Sequence, residues 1–399
     1  MRPTRSGLLV GVAAAVLVAL GRLLGLRELY AIGAAVGLLA VVCGLWVALR
    51  RIDIAVTRSV RPSRVHAGNP CTVEIEVRNR SRRATPVLRL LDPVSGTAGA
   101  DLLLAPIPLR RTTSVAYRLP TSRRGIISVG PMQVVLTDPF GLASTRDRGA
   151  PAVEVTVLPR VDDIPPLARS VGPDPDGTAE TGSLGRSGED FAALRPYVVG
   201  DDMRRVHWPS SARTGELLVR QHDVPWQGRV CVVLDQRRPS ADAETFERVV
   251  SAVASILRAH LRRGDHARLV TTTGVDSGYG VGSSYLDGLL EHLAVAERTS
   301  AGSLQIAVEL VERGASGAVV LVSGRPSEAD IDLVERTGTA LSVRRVVHFG
   351  RTERAATPRR TELVGVGPGE TFAEAWTSAT TTPRRRRRAV HSTSGAGST

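Results

Sequence analysis

Two long apolar runs, set almost end to end at the N-terminus, leave this chain few ways to begin. Residues 7–26 are apolar except for Arg22, and residues 29–49 form an uncharged run of 21 residues. At about 1.5 Å per residue in a helix, each run can cross a hydrocarbon layer roughly 30 Å thick. A transmembrane hairpin is therefore expected within residues 1–52. A cleaved signal peptide is the rival for the first run, but A-L-G-R-L-L-G-L offers no small-x-small site and the second run follows at once. Arg2 and Arg5 precede the hairpin, and Arg50, Arg51, Arg58, Arg61 and Arg64 follow it, whereas the link holds Arg22 and Arg27 opposed by Glu28. By the positive-inside rule both outer ends, and everything after residue 50, face the cytoplasm. The expected location is the cytoplasmic membrane, crossed twice.

The chain has 399 residues, enough for two or three domains, each with its own core. Its formal charge of +13 comes from arginine alone, because the sequence contains no lysine. That excludes a Walker-type phosphate lysine and a Schiff-base lysine. Cys43, Cys71 and Cys231 lie in apolar or strand-like runs, which suits buried free thiols in a reducing compartment.

Residues 53–160 read as a β-rich, sandwich-like domain. Cys71, Val73, Ile75 and Val77 alternate with Thr72, Glu74, Glu76 and Arg78, the period of a half-buried strand. Similar runs occupy residues 87–91, 114–119, 133–136 and 153–158, separated by turn signals. Asp138 opens D-P-F-G-L, a turn sequence in which the aspartate bonds nearby backbone and the glycine takes a positive φ. Residues 161–187, rich in proline, glycine and small polar residues, read as a linker or long loop.

Residues 229–350 alternate strand and helix. R-V-C-V-V-L at 229–234 is a strand apolar on both faces, and Phe246, Val249, Val250, Val253, Ile256, Leu257 and Leu261 recur at helical spacing. Further strands are expected at 267–272, 317–322 and 341–349, and helices at 283–294, 304–312 and 328–336. The fold class is thus multidomain, with an N-terminal α-hairpin, a β domain and an α/β domain built on a mostly parallel sheet. In such sheets function sits at the carboxyl ends of strands. The glycine-rich loop G-V-D-S-G-Y-G-V-G-S-S, at residues 274–284, lacks the lysine and the following acidic residue of a nucleotide site.

The α/β alternation resembles a von Willebrand factor A domain. Members that hold a divalent metal use Asp-x-Ser-x-Ser after the first strand, a threonine in a glycine-rich loop and an aspartate after a later strand, so that hard oxygen ligands converge from three loops. Asp235 matches the first position, but Arg237 and Pro239 replace the serines. Ser283 or Ser284 stands for the threonine, and Gly324 lies where the last aspartate is sought. The resemblance therefore implies a degenerate metal site and no bound cofactor.

Residues 188–228 crowd acidic, basic and aromatic side chains between the two domains. Asp201 or Asp202 is placed to cap a short helix over M-R-R-V-H-W, and residues 217–220 read as a strand leading toward the sheet. Arg195, Arg204 and Arg213 can bridge Asp190, Asp201 and Asp202, with Tyr197 and Trp208 as stacking faces. Two sharper chemistries use the same residues: a metal on Asp201, Asp202 and His207, and a nucleophile pair of His207 with Ser210 or Ser211. Neither matches a known catalytic spacing as well as a structural Asp/Arg network does.

The pattern formed by Gly188, Asp190, Phe191, Leu194, Arg195, Tyr197, Gly200, Asp201, Arg204, His207, Trp208, Ala212 and Arg213 resembles the signature of the domain of unknown function 58 family. The resemblance extends to the hairpin, the R-G and D-P-F-G-L elements and the A-type domain. It implies a membrane-anchored interaction or scaffold protein working with a MoxR-type AAA+ ATPase, or with its client proteins, in assembly or remodelling. No enzymatic activity is implied; the alternative is a metal-dependent hydrolase using the Asp-rich motif. Residues 351–399 read as a disordered basic tail in which Arg384, Arg385, Arg386, Arg387 and Arg388 face anionic lipid, with nucleic acid not expected as a partner.

Overall fold

The computed structural model describes residues 2–50, 52–168, 191–196, 206–222, 228–314, 317–337, 341–350 and 360–381. The chain divides into two compact units. One comprises residues 1–160 with 290–295, the other residues 161–289 with 296–399.

The first unit opens with a two-residue strand, β1 (Arg2–Pro3), followed by helices α1 (Arg5–Leu24) and α2 (Arg27–Leu49). Both are long and apolar enough to cross a membrane. The turn falls at Gly25 and Leu26, with Gly25 at φ 67°, so Arg27 and Glu28 begin the second helix instead of forming the link. Small residues bring the two backbones together. A Cβ on Gly21 would meet Tyr30 N at 2.6 Å, and one on Gly33 would meet Val18 N at 2.8 Å.

The strands that follow are β2 (Ile54–Arg61), β3 (Arg64–His66), β4 (Thr72–Asn79), β5 (Leu88–Asp92) and β6 (Ala100–Leu104). After them come β7 (Thr112–Arg118), β8 (Gly125–Val129), β9 (Gln133–Thr137), β10 (Ala143–Arg148) and β11 (Val153–Leu158). They form three sheets, ordered β1-β10-β9-β5-β6, β2-β4-β7 and β3-β11-β8, with β3 and β11 parallel and the other pairs antiparallel. Val73 and Ile75 of β4, Leu88 of β5, Leu136 of β9 and Val155 of β11 are fully buried in one common core. The period-two pattern of β4 survives intact, with Val73, Ile75 and Val77 inward. β2, β3, β6 and β10 carry weaker apolar alternation and fall outside the strand runs expected from the sequence. In β2 the reason is explicit: an inward side chain is Arg58, whose Nη1 donates to Asp92 Oδ1 at 2.7 Å with both side chains almost fully buried. Cys43, Cys71 and Cys231 are buried free thiols.

The second unit begins before its first strand. Residues 161–168, expected as linker, bury Ile164 and Leu167 against it, and the amide of Asp162 donates to Ser255 Oγ. A two-stranded antiparallel ribbon then pairs β12 (Phe191–Pro196) with β13 (Leu218–His222), and α3 (Trp208–Thr214) lies between them in sequence. β13 therefore belongs to its own ribbon and not to the large sheet.

That sheet is built from β14 (Arg229–Leu234), β15 (His266–Thr271), β16 (Gly317–Ser323), β17 (Leu341–Phe349) and β18 (Thr361–Val366). All five are parallel, in the order β15-β14-β16-β17-β18. The helices are α4 (Ala243–Arg262), α5 (Ser283–Val295), α6 (Leu304–Glu312), α7 (Glu328–Arg336) and α8 (Phe372–Thr381). Cys231, Val233, Val319 and Leu321 pack with residues of α6 and α7 on one face. Val230, Val232 and Leu234 alternate to the other face, and α4 lies along β14 to β17. The glycine-rich loop runs back antiparallel beside β15, through the bridges Ala267 to Gly280 and Val270 to Asp276.

The boundary expected at residue 350 falls one strand and one helix short. β18 extends the sheet beside β17, and α8 covers it with Phe372, Ala375 and Trp376 buried. Only residues 351–359 and 382–399 of the expected tail, including Arg384 to Arg388, lie outside the described residues.

Candidate functional site

The carboxyl ends of β14 and β16 carry a charged centre. Asp235 follows β14 and is fully buried. Arg237, two residues on, turns back onto it, with Nε 2.9 Å from Oδ1 and Nη2 2.9 Å from Oδ2. The same guanidinium reaches Asp330 at the start of α7, at 3.0 Å to Oδ1 and 2.9 Å to Oδ2. Ser323, the last residue of β16, donates to Asp235 Oδ2 at 2.7 Å. One planar fork thus satisfies two carboxylates, the geometry in which arginine bonds are strongest. The paired carboxylates, Asp235 foremost, hold the Arg237 guanidinium above its ordinary range against the effect of burial. Burial would raise the Asp330 carboxyl, but Arg237 and the Ser327 amide hold it below the usual carboxylate range.

This centre revises the degenerate metal site. Arg237, which stands where the metal pattern has a serine, sits as the cationic partner of both acids. The second acid is Asp330, not a residue at Gly324. A Cβ at position 324 would run into the Ser240 carbonyl and the Ala241 side chain, so no ligand-bearing side chain fits there. The sequence signal for Asp330 was the capping box S-E-A-D, in which Ser327 and Asp330 each accept the other's backbone amide. Ser283 and Ser284 are exposed at the start of α5. Among the described residues, no three His, Cys, Asp or Glu side chains converge as a metal-binding group.

The signature segment is described in part. Phe191, Leu194 and Arg195 lie on β12, with Leu194 opposite Arg220 and Arg195 opposite Val219. Gly188, Asp190, Tyr197, Gly200, Asp201, Asp202 and Arg204 lie outside the described residues, as does the proposed bridging among them. The short helix begins at Trp208, later than expected, and its cap is His207 in place of an aspartate. The His207 ring accepts from the Ser210 amide at 3.3 Å and lies 2.7 Å from Ser210 Oγ. Pro209 occupies the first turn, where proline suits a helix. Ser211 Oγ donates to the His207 carbonyl and accepts from the Leu218 amide, while the His207 amide donates to the Leu218 carbonyl. The His207, Ser210 and Ser211 contacts therefore fasten α3 to β13. Trp208, Ala212 and Arg213 remain exposed on the outer side of α3.

Residues 193–347 match the family model described as "Protein of unknown function DUF58". The match runs from β12 into β17. A curated relative, "Uncharacterized protein YeaD" of Bacillus subtilis (strain 168), is 29% identical over 157 residues, covering 38% of this chain and 38% of that protein. The chain thus matches well under half of that relative's length. Among solved structures, the crystal structure of the CARDB domain of the PF1109 protein from Pyrococcus furiosus is similar at 12% identity, covering 27% of this chain and 93% of that one, with a TM-score of 0.22.

Inside the DUF58 match lies a second buried charged group that sequence reasoning missed. Asp265, fully buried, accepts from His260 Nδ1 at 2.8 Å and from Arg263 Nε at 2.8 Å. His260 Nε2 accepts the Leu167 amide at 3.2 Å, which places the ring proton on Nδ1. An Asp–His pair is a familiar catalytic element, but here the basic nitrogen is occupied by backbone, and Arg263 Nη1 holds the Leu167 carbonyl as well. The group anchors residues 161–168. Burial would raise the Asp265 carboxyl, but His260 and Arg263 hold it far below the ordinary range.

Because the folded value lies below the unfolded one, this stabilisation is complete above the ordinary aspartate value of about 4 and is lost as pH falls toward the depressed folded value. Urea midpoints measured against pH should therefore fall steeply below about pH 4 in the wild type. Asp265→Asn should be less stable at neutral pH and converge with wild type in acid. Parallel curves would reject the assignment.

Proposed function

We propose that this is a membrane-anchored, non-enzymatic interaction protein, with the chain after residue 50 in the cytoplasm. Its A-type α/β unit and signature segment would be presented to a MoxR-type AAA+ ATPase or to the client proteins of such an ATPase. The anchor reading is supported by two helices able to cross a membrane. The A-type reading is supported by the all-parallel strand order, with β14 and β16 inside the sheet and an antiparallel return stretch along the outer edge of β15.

The observation that carries the non-enzymatic reading is the Arg237 bridge. The crevice at the carboxyl ends of β14 and β16 is where such a fold would gather a reactive ion, and there a guanidinium already satisfies Asp235 and Asp330. A fixed internal cation cannot supply a metal-bound water, but it can hold a rigid surface. The exposed Trp208 and Arg213 on α3 are the features of the signature best placed to meet a partner.

Affinity capture with the full chain from detergent extract tests this reading. An AAA+ ATPase or its clients should be enriched with wild type and lost with Trp208→Ala. Because Trp208 is exposed, that variant should keep its thermal stability within about 0.5 kcal/mol. Equal recovery by both proteins would overturn the docking role. Calorimetric titration with magnesium, manganese and calcium tests the hydrolase alternative: tight binding abolished by Asp201→Asn or Asp235→Asn would favour it.

A further inference from the structure

The turn at residues 138–142 has hydrogen-bonded amides and an apolar tip, and it lies where the first unit meets the ends of its apolar helices. The Asp138 carboxylate accepts from the Phe140 amide at 2.8 Å and from the Ala143 amide, and the Gly141 amide donates to the Asp138 carbonyl at 3.0 Å. Burial would raise this carboxyl, but those amides hold it below its ordinary range. The outward carbonyls are taken by the helix entrance. Thr4, the cap of α1, donates from Oγ1 to the Gly141 carbonyl at 2.5 Å and from its amide to the Leu142 carbonyl at 3.0 Å. Gly7, on the first turn of α1, lies so close to Leu142 that an added Cβ would overlap its carbonyl. At the tip, Phe140 is 65% exposed.

The depth of this turn follows from the helices. Tyr30 and Trp46 of α2 are 16 residues apart (46 minus 30), about 24 Å along the axis. That suits aromatic belts at the two faces of a bilayer. The Arg50 guanidinium lies over the Trp46 ring at 5.0 Å, with the charge toward the helix end, as expected of an interface anchor. Trp46 also packs against the β core, so the β domain stands directly on this interface. Arg5 and Gly7 lie at the same end of the hairpin, and with them the turn.

We propose that residues 138–142 form a lipid-interface wedge, with Phe140 seated among the lipid headgroups and upper acyl carbons. The inference rests on the membrane-anchored reading above and adds a third point of attachment that fixes the β domain against the bilayer. Internal satisfaction of its amides lets the turn enter a water-poor layer, where unsatisfied backbone is costly. The exposed phenyl ring supplies the apolar contact.

The test uses the full chain in nanodiscs of phosphatidylcholine with phosphatidylglycerol, carrying an environment-sensitive fluorophore on Phe140→Cys. Val12→Cys on α1 serves as a deep marker and Leu103→Cys, on the far edge strand of the same sheet, as an aqueous marker; the unsubstituted chain is the labelling blank. The Phe140 site should show blue-shifted emission, quenching by lipid bearing a nitroxide near the headgroup, and loss of the iodide quenching seen at Leu103. Pro139→Cys, exposed on the same turn, gives the same readout should Phe140→Cys fail to fold. Quenching of the Val12 label by deep nitroxide, with a turn label that headgroup nitroxide does not quench, would overturn the wedge alone, whether the turn is open to iodide or covered by protein. Absence of lipid quenching at Val12 would overturn the membrane reading together with it.

Discussion

Replacing Arg237 by alanine is expected to cost about 3–5 kcal/mol of stability, the usual penalty for leaving one member of a buried ion pair without its partner. The variant leaves Asp235, fully buried, with only the Ser323 hydroxyl and the backbone amide of residue 237 as donors. Two carboxylates then face each other with no intervening charge. Truncating the other side should cost less. In Asp330→Ala the guanidinium keeps both bonds to Asp235, and the Asp330 side chain is already partly exposed. The double replacement Asp235→Asn with Arg237→Met removes both buried charges and should recover much of the loss, because charge removal in pairs is far better tolerated than singly. Chemical denaturation of wild type and the three variants ranks these losses. A single Arg237→Ala value within about 0.5 kcal/mol of wild type, as for an ordinary surface substitution, would show that the bridge does not hold this crevice.

That centre also shows where the sequence was readable and where it was not. Asp235 was legible because it follows a run of five apolar residues at a strand end. Asp330 was not, because the metal-site pattern points to Gly324, a position where the Ser240 carbonyl leaves no room for a side chain. The two apolar helices were legible from hydropathy to within a few residues, and so were α4, α6 and α7, whose buried positions recur at helical spacing. In the β domain the readable strands were those whose inward residues are aliphatic, as in β4. β2 hides an inward arginine and β10 reads A-S-T-R-D-R, so neither shows the alternation that marks a half-buried strand. The same effect concealed the end of the α/β unit. Arg344 and Arg345 on β17 look like surface residues in the sequence, yet both are buried. His260 and Asp265 were passed over because their partner, the Leu167 backbone, lies almost a hundred residues away in sequence.

Trp376→Ala should be the most damaging change in the segment taken for tail, at about 3–5 kcal/mol for a buried aromatic truncated to alanine. The ring is fully buried, 5.6 Å from Phe372 and 4.9 Å below the Arg345 guanidinium. Arg345 in turn reaches Glu362 on β18 through Nε at 2.9 Å and Thr380 on α8 at 3.0 Å, so one cation ties the last strand to the last helix. The indole Nε1 donates to the Pro165 carbonyl at 2.8 Å. With His260 holding Leu167, this gives residues 161–168 two clamps, one from α4 and one from α8. Loss of the indole should therefore raise amide exchange in two segments far apart in sequence, 161–168 and 361–381, at the same time. Trp376→Phe keeps a ring beneath Arg345 but loses the N–H, leaving the Pro165 carbonyl unpaired at a cost of about 1–3 kcal/mol. It should loosen residues 161–168 more than α8. Exchange that rises in α8 alone in both variants would show that the indole does not clamp residues 161–168, leaving His260 to hold them.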